Sequence, residues 1–280
     1  MNASEDSFNN FVPHHMNIDK SDIEGNNGIG RYIILPGSDG RAKKIAELFN
    51  DTEVKKHPRC HNFYKGTLRV GNKSIDVATV SSGMGSPSID IIVNELFRIG
   101  ARRILRVGTS GSLQPEYIRV GSVVVPTASV RDEGTTSNYL PVGVPAVASL
   151  DFIEASRQAV TRLGIKDAFF GVVHSKDSLY AREFKEGPMA DENKRYMDLL
   201  KASGVLASEM ECSLLFTLGM IFDKKLKEKT KIGFKTGAVL AVIGDDSAFS
   251  DDSAVNMAID KAINLGIETI KELAKIELAF

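Results

Sequence analysis

Arg106 is the residue whose surroundings in the sequence point most directly to chemistry. It lies in the otherwise apolar run 104–107, immediately before the glycine- and hydroxyl-rich segment 108–111. A charged side chain at the end of a buried strand needs a partner, and an arginine fork beside hydroxyls and main-chain amides suits a tetrahedral oxyanion. The alternative is a buried ion pair with an Asp or a Glu. We therefore predict an oxyanion site at Arg106.

Two other segments have glycines between a predicted strand and a predicted helix. They are residues 34–41, which end in Arg41, and residues 82–88. Glycines let phosphate approach the main chain, and a helix N-terminus favours an anion. Taken alone, the first segment is also explained by an ordinary turn with Ser38 or Asp39 as the helix cap. Because such loops meet at one edge of a sheet, the two together favour a shared anion site.

A pair of carboxylates, Glu209 and Glu211, flanks Met210 just before the apolar segment 213–220. In an extended chain, alternation places both acids on one face, where they could hold the vicinal hydroxyls of a sugar. Met210 could then pack against the sugar ring. The alternative is a pair of solvated acids at a helix start, where the helix dipole favours negative charge.

The remaining candidates have weaker signals. The acidic cluster Asp245, Asp246, Asp251 and Asp252 lacks the spacing of a calcium loop and is interpreted as a solvated loop, although Asp245 could protonate a leaving group. His14 and His15 are too sparse for a metal site, so residue type alone predicts exposed side chains.

The elements that must position these residues alternate between strand and helix. This alternation predicts one three-layer α/β/α domain, residues 29–280, around a mixed, largely parallel sheet, after a flexible arm at residues 1–28. Ligands of such sheets bind at the carboxyl ends of the strands. Strands are predicted at residues 32–35, 75–80, 104–107, 123–125, 169–173 and 238–243. Helices are predicted at residues 41–49, 88–99, 152–163, 194–202, 213–220 and 255–274.

Composition excludes several classes of protein. The 280 residues include 35 basic and 36 acidic side chains, so no broad positive field attracts nucleic acid or an anionic membrane. Cys60 and Cys212 do not suggest a disulfide framework or a zinc site. The polar, acidic start lacks the pattern of a secretory signal. We expect a cytoplasmic protein whose partners are small molecules.

In this order, the segments resemble the hexameric nucleoside phosphorylase family of the nucleoside phosphorylase I type, and most closely its uridine phosphorylases. The match runs from about His15 to the last predicted helix. It is carried by residues 35–37 with Arg41, 82–85, 105–111, 129–131 with 144–147, and 209–211.

The resemblance implies an enzyme that cleaves ribonucleosides with phosphate, giving a free base and ribose 1-phosphate. Phosphate is a co-substrate, and neither a cofactor nor a metal is implied, since Cys60 stands where some members have a glutamate. A homo-oligomer, either a dimer or a hexamer of dimers, is expected because the family shares its sites between subunits. By resemblance, phosphate binds Gly37, Arg41, Arg106, Thr109 and, from a neighbouring subunit, Arg59. Ribose binds Glu209, Met210, Glu211 and, across the same interface, His15.

The base-binding segment departs from the family pattern. Uridine phosphorylases have an aromatic residue followed by Gln and Arg, whereas this chain has Leu179 at the aromatic position. An ungapped alignment places Glu183 and Lys185 at the other two positions, and Tyr180 and Arg182 complete the candidate base-binding set. A purine nucleoside phosphorylase, a hydrolytic nucleosidase and a nucleoside-binding protein without turnover remain as alternatives.

An acidic residue distinguishes the purine enzymes of the family from the uridine phosphorylases. The purine enzymes use an Asp after the last core strand to protonate or hydrogen-bond the purine, and Asp245 lies near that position. A second alignment places Ile243 there instead.

Overall fold

A computed structural model describes residues 11–230, 232–245 and 252–278, and the structural statements below concern these residues. Six helices and ten strands follow one another along the chain. The helices are α1 (Asp39–Ala46), α2 (Ser86–Arg98), α3 (Leu150–Leu163), α4 (Ala190–Ala202), α5 (Cys212–Lys227) and α6 (Asp252–Leu278). The strands are β1 (Tyr32–Leu35), β2 (Asn50–Lys55), β3 (Phe63–Val70), β4 (Lys73–Thr79), β5 (Arg103–Ser112), β6 (Val123–Asp132), β7 (Ala146–Val147), β8 (Ala168–Lys176), β9 (Ala207–Glu209) and β10 (Lys235–Gly244).

Strand β1 shows how the sequence builds a sheet covered on both faces. Its four apolar residues are all buried, and alternate side chains enter two different core clusters. Ile33 and Leu35 pack in the cluster that contains α2 and α5, whereas Tyr32 and Ile34 pack in the cluster that contains α1, α3 and α6. The predicted three-layer α/β/α arrangement is therefore confirmed.

The sheet runs in the order β10-β6-β8-β9-β5-β1-β4-β3-β2, and β7 pairs with β6. It is mixed, as predicted: β5 is parallel to β1 and to β10, and β8 is parallel to β6 and to β9, whereas β2, β3 and β4 form antiparallel pairs. Strand β10 also pairs with β5, so β5, β10, β6, β8 and β9 form a closed ring. Periodicity did not predict this closure, because it depends on pairing between strands far apart in sequence.

Each predicted helix and strand has a counterpart in the structure, but four strands were not predicted. Strand β2 is polar and exposed along most of its length, so it has no apolar alternation to detect. Strands β7 and β9 are only two and three residues long. Strand β3 alternates from Tyr64 onward, with Tyr64, Leu68 and Val70 buried, and it extends the sheet beyond β4.

The described part of the predicted arm, residues 11–28, lies against its own chain. Met16, Ile18 and Ile23 are buried in the first core cluster. The side-chain Nδ2 of Asn26 donates to the main-chain oxygens of Gly30 and Asp76, which fixes the arm against β4. Docking of this arm on a neighbouring subunit stays a prediction.

Helix α6 is the longest helix, with 27 residues. It buries Ala258, Leu265 and Leu273 against the sheet, while Lys261 forms an ion pair with Asp167. Across the described ranges, none of the helices has both the length and the apolar character needed to cross a membrane.

Candidate active site

A cavity of about 350 Å³ lies at the carboxyl ends of β1, β5, β8, β9 and β10. This is the edge of the sheet at which the sequence places the glycine loops and the Arg106 strand. Most of the predicted site residues share this one cavity. Those that line it are Gly37, Arg41, Arg106, Thr109, Leu179, Glu183, Glu209, Met210, Glu211 and Asp245.

Arg106 is buried between the two predicted carboxylates. Its Nη2 donates to Glu211 Oε2, and its Nε lies 3.4 Å from Glu209 Oε2. Within the described residues, Nη1 of Arg106 has no hydrogen-bond partner. Burial lowers the pKa of Arg106, but the charges of Glu211 and Glu209 outweigh it and raise the pKa overall. Arg106 is thus a permanent cation in a protein ion pair, with a donor still available to an oxyanion.

Arg41 brings a second guanidinium to the same cavity. Ser38 caps α1 by accepting a hydrogen bond from the Arg41 main-chain nitrogen at 3.3 Å, and Arg41 Nη1 donates to the carbonyl of Val107 at 3.4 Å. Burial, and then the positive charge of Arg106, lower the pKa of Arg41 to about 10, with Glu211 acting in the opposite direction. A bound anion between the two cations would relieve this repulsion.

The second glycine loop, residues 82–88, donates hydrogen bonds to the segment that carries the two carboxylates. Gly85, with a φ of 79°, donates its main-chain N–H to Glu211 Oε1 at 2.7 Å. The next residue, Ser86, donates its hydroxyl to the carbonyl of Met210 at 3.2 Å. The anion that this loop contacts in the structure is therefore Glu211, and the loop fixes Glu211 beside Arg106.

Glu209 and Glu211 share one face, as alternation predicts, but they have different roles. The Glu209 carboxylate accepts from Ser175 Oγ and from the main-chain nitrogens of Glu211 and Cys212, the last two at 2.9 Å. These bonds occupy Glu209 and fix the start of α5. Burial raises the pKa of Glu211, while Arg106 acts to lower it. Since both acids are almost fully buried, the alternative of solvated helix-start acids is wrong.

The base-binding candidates separate into two groups. Leu179 and Glu183 line the cavity, and they lie on the single π-helical turn Leu179–Glu183. Tyr180 is 63% exposed, and Arg182 forms an ion pair with Asp132 at 2.8 Å in a neighbouring cavity. Lys185 is not among the residues that line the site cavity.

Two residues that the sequence did not single out also line the cavity, Lys176 and Phe184. Lys176 is the last residue of β8 and forms an ion pair with Glu183 Oε2 at 2.5 Å. The polar residues His174 and Ser175 separate Lys176 from the apolar part of β8, so its sequence signal is weaker than that of Arg106. Phe184 is an aromatic residue five positions after Leu179, so it supplies an aromatic side chain to a site in which the expected position has become Leu179.

The two residues that the resemblance assigns to a neighbouring subunit also lie away from this cavity within the single chain. His15 Nδ1 is 2.8 Å from Glu95 Oε1, and the His15 main-chain nitrogen donates to the same carboxylate at 3.1 Å. Arg59 is exposed, and its main-chain nitrogen donates to His57 Nδ1. His14, predicted to be exposed, is exposed.

The acidic cluster is only partly described. Asp245 lines the cavity together with Ile243, so both alternative positions for the purine-type acid face the site. Asp246 and Asp251 lie outside the described residues, and Asp252 begins α6.

Gly108 provides a way to move Arg106 without changing any charge. A Cβ atom at this position would lie 2.8 Å from Arg106 Nη2 and 2.9 Å from its Cζ. If the site takes phosphate, as the family resemblance implies, Gly108→Ala should displace the guanidinium and lower kcat/KM for phosphate by about 10-fold or more. Gly40→Ala is the matched control, since a Cβ there meets nothing within 4 Å. Equal phosphate kinetics in both variants, measured at saturating nucleoside, would contradict the placement of Arg106 at phosphate.

Comparison with known proteins agrees with this geometry. Residues 31–273 match the family model of the phosphorylase superfamily. The uridine phosphorylase of Treponema pallidum is 35% identical, with 93% of each chain covered, and the guanosine phosphorylase of Halorubrum lacusprofundi is 28% identical, with 92% of this chain and 98% of the relative covered. The crystal structure of uridine phosphorylase from Vibrio fischeri superposes with a TM-score of 0.71 at 26% identity, over 94% of this chain and 95% of that one. The chain therefore belongs to the phosphorylase superfamily, as the order of its motifs predicted.

Proposed function

We propose that this chain is a uridine phosphorylase-like pentosyltransferase, which cleaves ribonucleosides with phosphate to give a free base and ribose 1-phosphate. The observation that carries the proposal is the pair of guanidiniums, Arg41 and Arg106, in one cavity with the carboxylate of Glu211. Two cations suit an anionic nucleophile, whereas water needs neither. The relatives named uridine phosphorylase support the same activity.

In the proposed reaction, a phosphate oxygen attacks the anomeric carbon from the face opposite the base. The bond from that carbon to the base nitrogen breaks early, so its electron pair leaves with the base and the sugar resembles an oxocarbenium ion. Arg41 and Arg106 hold the nucleophile, and the negative charge of Glu211 lies beside the cationic sugar. Fixed positioning of two reactants can supply about 7–11 kcal/mol of the barrier reduction.

The remaining roles are proposals from the family resemblance, supported by the shared cavity. Gly37 and Thr109 complete the phosphate site, and Met210 packs against the sugar next to Glu209 and Glu211. Asp245 is the candidate acid for the departing base. The proposed reaction needs no metal and no organic cofactor. Both cysteines are free and Cys60 is exposed, which suits a reducing cytoplasm.

A panel of nucleosides tests the proposed function. Uridine, thymidine, cytidine, inosine, guanosine and adenosine are incubated with and without phosphate, and release of free base is followed. We expect base release from uridine that depends on phosphate. Equal release without phosphate indicates a hydrolase, and no release from any nucleoside, together with ligand-induced thermal stabilisation, indicates a binding protein. Each of those results contradicts the phosphorylase proposal.

A purine nucleoside phosphorylase is the second candidate, because one relative is a guanosine phosphorylase and Asp245 faces the cavity. A purine enzyme predicts faster turnover of inosine and guanosine than of uridine in the same panel. It also predicts that Asp245→Asn lowers purine turnover selectively, because the side chain can no longer supply a proton.

We also propose that the sites are shared in a homo-oligomer, with Arg59 and His15 supplied by a neighbouring subunit. Arg59→Ala and Arg106→Met each remove one half of such a site. When the two inactive variants are co-expressed, a mixed oligomer contains sites with both arginines intact, so we expect activity to return. Arg69→Ala, which removes another exposed arginine, is the control for Arg59→Ala. A monomer in solution, or mixed oligomers without recovered activity, would rule out shared sites.

A further inference from the structure

Lys176 is a buried cation that the phosphate chemistry above does not use. Its side chain is 3% exposed, and it lines the same cavity as Arg41 and Arg106. Nζ lies 2.5 Å from Glu183 Oε2 and donates to Ser208 Oγ at 2.8 Å. Removing an ammonium group from water costs several kcal/mol, which the ion pair with Glu183 and the hydrogen bond to Ser208 offset. Among the described residues, these two partners leave one of its three N–H donors available.

The Glu183 carboxylate lies close against a glycine on the Arg106 strand. A Cβ on Gly111 would lie 2.6 Å from Glu183 Oε1, so only a glycine leaves room for this carboxylate. The Arg106 guanidinium lies over Gly108 in the same way.

We propose that Lys176 and Glu183 together read the lactam edge of an oxo-pyrimidine base, and that Lys176 stabilises the negative charge of the departing base. This inference rests on the proposed phosphorylase function. The carboxylate accepts the ring N–H, and the ammonium donates to the adjacent carbonyl oxygen. Cytosine has a ring acceptor and an amino donor at these two positions, so it faces both charged groups with the wrong polarity.

The same contact strengthens during the reaction. When the glycosidic bond breaks, its electron pair moves into the base and spreads onto the carbonyl oxygens. An ammonium fixed at one of these oxygens therefore binds the transition state more tightly than the neutral base. Ser208 fixes this ammonium, because its Oγ accepts from Lys176 and also lies 3.1 Å from the buried His174 Nδ1. Lys176 differs in this way from a purely structural ion pair, which would not respond to the leaving group.

Leaving-group dependence separates these two roles. Lys176→Met removes the charge and keeps the length of the side chain. We expect kcat/KM for uridine to fall about 100-fold. For 5-fluorouridine, whose base departs more readily as an anion, we expect the loss to be smaller by about fivefold or more. Lys194→Met is the matched control, because Lys194 is an exposed lysine on α4 that does not line the cavity, and its kinetics should stay close to the wild type.

A second variant tests the role of Glu183, and a binding measurement tests recognition of the free base. Gly111→Ala displaces the Glu183 carboxylate without removing a charge, and it should lower the preference for uridine over cytidine. Calorimetry should show uracil binding to the wild type in the presence of phosphate, and weaker binding to both variants. Equal losses for uridine and 5-fluorouridine, or unchanged uracil binding by Lys176→Met, overturn the inference. Wild-type protein that binds uracil but releases no base from uridine overturns the proposed function alone.

Discussion

Arg106→Met is expected to lower kcat/KM for phosphate by about 10²- to 10³-fold, because it removes a fixed cation from the nucleophile. The methionine keeps the apolar stem of the side chain. It also leaves Glu211 and Glu209 without their common partner, so thermal stability should fall as well. Steady-state kinetics with varied phosphate at saturating nucleoside, together with thermal unfolding, measure the two effects separately.

Arg103→Met is the matched control for that result. Arg103 is also buried on β5, at the opposite end of the strand, where its Nε lies 2.7 Å from Glu277 Oε1. Breaking this pair should cost about 3–5 kcal/mol of stability and leave the KM for phosphate unchanged. If Arg106→Met shows the same pattern as Arg103→Met, then Arg106 is only half of a structural ion pair.

Glu211→Gln is expected to lower kcat/KM for uridine by about 100-fold, with a smaller effect on phosphate binding. Glutamine keeps the shape and one acceptor oxygen, but it removes the negative charge beside the oxocarbenium-like sugar. Charged hydrogen bonds to the sugar hydroxyls are replaced by weaker neutral ones. Kinetics with uridine and with 2',3'-dideoxyuridine provide the measurement.

The dideoxy substrate, which lacks the 2'- and 3'-hydroxyls, shows whether Glu211 binds these hydroxyls. If Glu211 holds the 2'- and 3'-hydroxyls, the substitution should have a clearly smaller effect on the dideoxy substrate. Glu277→Gln is the control, because it neutralises a buried acid that pairs with Arg103 at the opposite end of β5. An equal effect of Glu211→Gln on both substrates would show that the carboxylate does not contact the hydroxyls.

The sequence predicted the edge of the sheet at which the site lies and most of the residues that line it. This was possible because Arg106 and the glycine loops are local signals, visible as a charge in an apolar run and as glycines between a strand and a helix. The facing carboxylates followed from alternation alone. The second glycine loop, expected to meet a bound anion, contacts Glu211 instead. That contact joins segments 126 residues apart, so no local pattern indicates it.

The base end of the site was harder to predict, because its residues come together through long-range folding. Lys176 precedes a polar segment and therefore resembles a solvated strand end. It is buried because β9 and the turn Leu179–Glu183 fold over it. That turn is π-helical, and Lys185 follows it with a φ of 61°. Lys185, which an ungapped alignment places at a base-reading position, does not line the cavity, whereas Lys176 does.

Product analysis by ³¹P NMR shows whether phosphate or water is the nucleophile. In the proposed reaction, phosphate bound by Arg41 and Arg106 attacks the sugar opposite the base. Uridine and inorganic phosphate should therefore yield uracil and α-ribose 1-phosphate in equal amounts, with loss of the inorganic phosphate signal. Uracil and free ribose with an unchanged phosphate signal would contradict it, because water would then be the nucleophile.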